Sequence, residues 1–162
     1  MRALLINLAG FQIVWFALVL GGDWALGLAL VWALWHFVKV ADQSERRFLL
    51  VCGTLGLSID QLLTFVGVLR FPDMLLPVLP LWFLGLWIAF PTVLQHSLRW
   101  VWSGHPALTL VGALAGAATY VGGSRLAPLE LPMGDAQSFL ILTLTWLVFF
   151  NLVRRLAPRA TA

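Results

Sequence analysis

Charge is the scarcest property of this chain. Only 10% of its 162 residues are charged and 61% are hydrophobic, whereas an ordinary soluble domain carries roughly 25% charged residues. That ratio excludes a conventional water-soluble globule. The single cysteine, Cys52, excludes an internal disulfide and a paired-cysteine metal motif. It lies within an apolar run and reads as a small packing residue. Three histidines are too few for the clusters of a di-iron membrane desaturase, and HExxH, Walker A and GxSxG patterns are missing. No metal and no cofactor is expected. Long polar segments are lacking as well, so no soluble catalytic domain fits between the apolar runs, and any chemistry must use side chains within a bundle or at its rims.

What fills the chain instead is six apolar stretches, at residues 3–21, 24–40, 48–69, 80–98, 106–123 and 137–153. Each is close to the roughly 20 residues that a helix needs to cross about 30 Å of hydrocarbon. Backbone N–H and C=O groups must be satisfied within the span in lipid, which favours helices. The fold class expected is all-α, a single polytopic membrane bundle of six transmembrane helices over residues 1–162. Arg2 followed by an apolar run raises the question of a signal peptide. The run is too long and no A-x-A-like site follows, so a retained first helix is expected.

The basic residues predict the topology. With the N-terminus inside, Arg2, Lys39, Arg46, Arg47, Arg99, Arg154, Arg155 and Arg159 fall on the cytoplasmic side, and only Arg70 and Arg125 fall outside. That asymmetry in short loops places both termini in the cytoplasm of a bacterial inner-membrane protein. The net charge of +3 is explained by this rule, and nucleic acid is not an expected partner. Of the nine tryptophans, Trp24, Trp82, Trp100 and Trp102 sit near span ends as interfacial anchors. Trp32, Trp35, Trp87 and Trp146 lie deeper, to pack between helices or line a groove.

Asp60 is the sharpest polar signal, an aspartate in the middle of a span, where insertion costs roughly 2.5–3.5 kcal/mol. Gly53, Gly56, Asp60, Thr64 and Gly67 fall on one helical stripe, whose small residues admit a neighbouring helix closely. Two readings stand: a proton carrier, ion ligand or acid/base group, or a neutral or amide-paired aspartate that locks helix packing. Gln12, at similar depth on the first helix, is the first candidate partner. The expected setting is a wet, inward-opening pocket with Asp60 near its floor.

On the fourth stretch, Gly85, Ala89, Thr92, His96 and Arg99 share a face, and Pro91 predicts a kink. His96 beside Arg99 suits acid/base chemistry or a lipid phosphate; the plainer account is the polar inner end of a helix. His36-x-x-Lys39 repeats the spacing of His96-x-x-Arg99. Asn7, His36, Lys39, Gln95, His96 and Arg99 together form the expected inner-rim pocket or headgroup contact. The fifth stretch carries Gly112 and Gly116 in a GxxxG spacing, with Tyr120 near the outer boundary as an interfacial anchor.

The pattern LW-x3-LW-x2-F…HSLRW at residues 81–102 resembles a bacterial membrane-protein family known as domain of unknown function 2878. NLAGFQIVWFALVLG, LGLSIDQLLTFVGVLRFP and GALAGAATYVGGSRL carry the same likeness in the same order. Pro91 and Gln95 depart from the alanine and asparagine expected there, and Ala117 stands where proline is usual. The resemblance implies six helices without an established activity. It also implies an association with enzymes similar to cyclopropane-fatty-acid synthases, hence with lipid modification or envelope stress. The expected function is an accessory or lipid-binding protein, with Trp87 and the small faces lining an acyl groove. Membrane lipids are the expected partners, with a lipid-modifying enzyme or a second copy of the chain as further ones. The rivals are a proton-coupled transporter using Asp60 and a structural subunit packing through Gly112 and Gly116. An enzyme acting alone has no diagnostic motif.

Overall fold

The computed structural model describes residues 2–157, so Arg159, counted above among the inner-side charges, lies outside the described residues. The order is α1 (Arg2–Gly21), a 3-10 turn (Gly22–Ala25), α2 (Leu26–Lys39), α3 (Gln43–Phe65), α4 (Leu81–Ala89), α5 (Pro91–Leu94), α6 (Arg99–Ser103), α7 (Pro106–Gly123) and α8 (Asp135–Leu156). Among the described residues the sole extended pairing is an isolated antiparallel bridge between Arg70 and Glu130. Arg2–Lys39, Gln43–Phe65, Pro106–Gly123 and Asp135–Leu156 are long and apolar enough to cross a membrane. Two of the six expected spans are shorter than predicted. α2 has 14 residues, about 21 Å at 1.5 Å per residue, and the stretch at 80–98 is broken.

α1 and α2 form an antiparallel hairpin. Gly22 turns the chain at φ 61°, a backbone region that costs glycine little because it has no Cβ. Gly10 then lets Trp32 approach α1 closely; a Cβ there would stand 2.2 Å from the indole. Lipid chains are as apolar as leucine, so close backbone approach and van der Waals contact must supply much of the helix association. The same device recurs at Gly56 against Trp87, at Gly112 against Val101 and at Gly116 against Trp146.

α3 starts five residues before the predicted span. Asp42 is its N-cap, accepting the Glu45 amide at 2.8 Å, which satisfies one of the otherwise unpaired N–H groups of the first turn. That amide and the Ser44 hydroxyl hold the Asp42 carboxyl below the ordinary aspartate range. α3 ends at Phe65, so Gly67, with φ 78°, belongs to the following turn and leaves the predicted stripe.

The fourth stretch breaks at Pro91, as its missing N–H dictates. Proline leaves the Trp87 carbonyl without its helical donor, and Gly53 packs directly against that oxygen. Beyond Leu94 the backbone tightens: the amide of His96 bonds to Val93 rather than to Thr92. The freed Thr92 carbonyl accepts the Asn7 side-chain amide at 3.0 Å, and Asn7 Oδ1 accepts the Ser97 hydroxyl at 2.7 Å. Asn7 thereby ties α1 to the broken region. Consequently His96 lies in a turn and Arg99 opens α6, so neither continues the face of Gly85, Ala89 and Thr92.

At the opposite end, Asp23 accepts the Trp82 amide at 2.9 Å and caps α4. Arg70 pairs with Glu130, and Arg125 with Asp135. Trp24 is 98% exposed and Trp100 is exposed, as interfacial anchors should be, but Trp82 and Trp102 are buried core residues. Trp102 spends its indole N–H on the Leu94 carbonyl.

Candidate functional site: a lateral groove, the carboxyl behind it and a rim cluster

A groove of about 460 Å³ has α1 on one side, α7 and α8 on the other and α4 as its back wall. It runs along α1 from Leu8 to Val19, about 16 Å at 1.5 Å per residue. Exposed side chains of α1 and α7, including Leu8, Phe16 and Ala115, form its lips. Trp82, Phe83, Trp87 and Phe90 form the back wall. Trp87 stacks on Trp146 at 5.9 Å with an interplanar angle of 21°. The groove is therefore apolar and lies at the depth of the spans. Its volume is within the range of small-molecule pockets, about 300–1,000 Å³.

Asp60 stands behind that wall, 1% exposed. Its Oδ2 accepts the Trp87 indole N–H at 2.6 Å and the Tyr120 hydroxyl at 2.7 Å. Both donors also line the groove, so one carboxyl group fastens two of its aromatic residues. The void beside Asp60 measures about 10 Å³ and is walled by Leu142, Trp146 and Phe149 among others, which is at the lower limit for a single water. The expected wet, inward-opening pocket is thus corrected: bulky aromatic groups close it, because the glycine at position 56 lets Trp87 pack closely on α3. Gln12 is not the partner. It is exposed on α1 and lines the groove, on the other side of Trp87. Thr64 is buried one turn on and bonds back to the Asp60 carbonyl rather than to the carboxyl. Tyr120, expected at a boundary, is a buried ligand of Asp60.

A second polar cluster lies at the end of the bundle that carries Asn7 and the α2–α3 connection. Glu45 Oε1 faces His36 Nε2 at 3.1 Å and His96 Nε2 at 2.8 Å. The two imidazole rings are 5.0 Å apart. His36 is 1% exposed, and its Nδ1 is buried without a partner. Among the described residues these three offer donor atoms all within 4.8 Å of one another, close enough to hold a metal ion. The repeated histidine spacing thus pointed at residues that do meet. Glu45 was missed because it was assigned to a loop. The run Asp42-Gln-Ser-Glu45 before an apolar stretch was the available signal, since an N-cap aspartate with glutamate three residues later opens a helix. Here the glutamate leaves the backbone to the cap and turns to the histidines.

The remaining rim residues do not join that cluster. Lys39 and Arg99 are exposed and Gln95 is half-buried. Arg154 caps carbonyls of Trp102 and Gly104 and donates to Thr109. Gly112 and Gly116 are taken up inside the chain, by α6 and α8, so they do not form the free packing face foreseen for a structural subunit.

Long apolar helices, a groove at their depth and a carboxyl sealed behind aromatic donors define a helical membrane protein. Residues 4–152 match the family described as protein of unknown function (DUF2878), and the chain belongs to that family. No curated protein and no solved structure matches it.

Proposed function

We propose that the protein is a lipid-binding component of the bacterial inner membrane that holds an acyl chain in the groove between α1 and α7, in the service of fatty-acyl or phospholipid modification. The groove itself carries this reading. An apolar recess that opens sideways among membrane-length helices is bathed by acyl chains, and a chain can enter it without crossing water. Leu98 lines one end of the groove, and the exposed Arg99 follows it. Lys39 is exposed at the same end as Asn7 and His96, so cations stand near where a headgroup would lie. Charge-assisted bonds from such groups suit phosphate. The distribution of arginine and lysine supports six passes with both termini cytoplasmic.

In this reading Asp60 is an anchor. It holds Trp87 and Tyr120 in place so that the back wall of the groove keeps its shape. The tight surroundings of the carboxyl favour that role over a coupling carboxylate, which must exchange protons with water.

The test is native mass spectrometry of protein extracted in mild detergent, followed by identification of retained lipid. The wild type is expected to keep lipid at close to one equivalent. Ala115→Trp fills the groove from its exposed lip and is expected to lose most of that lipid while remaining folded. Equal retention by the two proteins, or none by the wild type, rejects the groove as the site.

A further inference from the structure

We infer that His36, Glu45 and His96 form a binding site for a divalent transition-metal ion, of the two-histidine, one-carboxylate kind. The inference rests on a different set of residues from the lipid groove, the polar cluster at the end of the bundle that carries Asn7 and the α2–α3 connection. Three elements supply the donors: α2 brings His36, the first turn of α3 brings Glu45, and the turn between α5 and α6 brings His96. All three donor atoms already lie within 4.8 Å of one another.

The geometry is close to what an ion needs. Zinc binds imidazole nitrogen and carboxylate oxygen at about 2.0–2.2 Å, so tetrahedral ligand atoms stand about 3.3 Å apart. Glu45 Oε1 lies 3.1 Å from one Nε2 and 2.8 Å from the other. Opening those gaps by a few tenths of an ångström, with some closure between the imidazoles, makes room for the ion. Two imidazoles select zinc, copper, iron or nickel over magnesium and calcium, which prefer all-oxygen shells. Three protein ligands leave a position open for water. His96 is 28% exposed, so the cluster is open to its surroundings on that side.

Packing alone accounts poorly for His36. Its side chain is 1% exposed and one ring nitrogen has no partner, an arrangement that an apolar residue of similar size would avoid. Beside the Glu45 carboxylate His36 Nε2 is the donor; a metal ion takes that proton's place, and the neutral ring then carries its proton on the unpartnered Nδ1. Metal-bound histidines usually donate the other ring N–H to a partner, and losing such a partner costs roughly 10–100-fold in affinity. The site should therefore bind more weakly than one with a complete outer shell.

The test uses full-length protein without an affinity tag, stripped by chelator in detergent and titrated with Co²⁺ and with Zn²⁺. The wild type is expected to develop cobalt d–d absorption that saturates at one equivalent and to bind Zn²⁺ by calorimetry. His96→Ala alters a partly exposed turn and should fold; it and Glu45→Gln are each expected to weaken binding by more than about 10-fold. His105→Ala, outside the cluster and engaged in capping α7, should leave binding unchanged. Circular dichroism and gel filtration verify that each variant is folded. Absence of cobalt absorption and zinc heat in the wild type overturns the inference, leaving the cluster as a glutamate shared by two histidines. Binding that survives His96→Ala and Glu45→Gln overturns it equally.

Discussion

The indole N–H of Trp87 meets the carboxyl of Asp60 at 2.6 Å across the seam between α4 and α3. The contact exists because residue 56, one turn before Asp60, has no side chain. An alanine Cβ there would lie 2.0 Å from the Trp87 ring. Backbone economy on one helix thus sets the polar contact on the next, and through it the back wall of the groove.

Asp60→Ala leaves two buried donors, Trp87 Nε1 and Tyr120 OH, without an acceptor. The expected loss is about 1–3 kcal/mol, near the lower figure if the donors find new partners, as membrane interiors often allow. Asp60→Asn keeps an acceptor oxygen and is expected to lose less than half as much. Thermal unfolding in detergent measures both. Retention of groove lipid by Asp60→Asn fits an anchor. Its abolition, with the fold intact, would instead assign Asp60 a direct part in the function.

Gly56→Ala should overpack the seam at a cost of about 1–3 kcal/mol and displace Trp87. Gly27→Ala is the matched comparison: nothing lies within 4 Å of its new Cβ, and it is helical, so it should raise stability by up to about 1 kcal/mol. Equal melting temperatures for the two variants would contradict this packing.

Asn7→Ala removes the donor to the Thr92 carbonyl and the acceptor for Ser97. The expected destabilisation is about 1–3 kcal/mol, concentrated where α1 meets the break after Pro91. Hydrogen exchange should quicken at residues 92–98 while the amides of α7 and α8 stay protected. Uniform quickening throughout the chain would point to global rather than local loss.

Sidedness is open to labelling because Cys52 is the only cysteine and is buried. In a Cys52→Ala background, Ser124→Cys is expected to react with an impermeant maleimide in intact cells. Ser44→Cys is expected to react only after permeabilisation. The reverse pattern inverts the topology.

Some of this was legible along the chain. Runs of apolar residues located α1, α7 and α8 to within a few positions and α3 to within five, and the stripe of Gly53, Gly56, Asp60 and Thr64 correctly described the face that α3 buries. Proline chemistry predicted a kink at residue 91, where the stretch is interrupted between α4 and α5. The partner of Asp60 was misread as Gln12 because matching depth is only a necessary condition for contact; the azimuth of each helix about its neighbour is a second one. Glu45 was hidden by a boundary error of five residues, since a charged first turn looks like a loop until its cap is recognised.

The amino-acid order by itself determined that the chain forms long apolar helices and which face of α3 is buried. Those properties follow from hydropathy and from the 3.6-residue repeat, which are local. Only the tertiary arrangement decided that Trp87 and Tyr120 close over Asp60, that α1 and α7 stand apart as a groove, and that Glu45 falls between His36 and His96. Each of these depends on how helices far apart in sequence approach one another, as Gly56 sets the approach of Trp87, and periodicity within one helix carries no record of its neighbour.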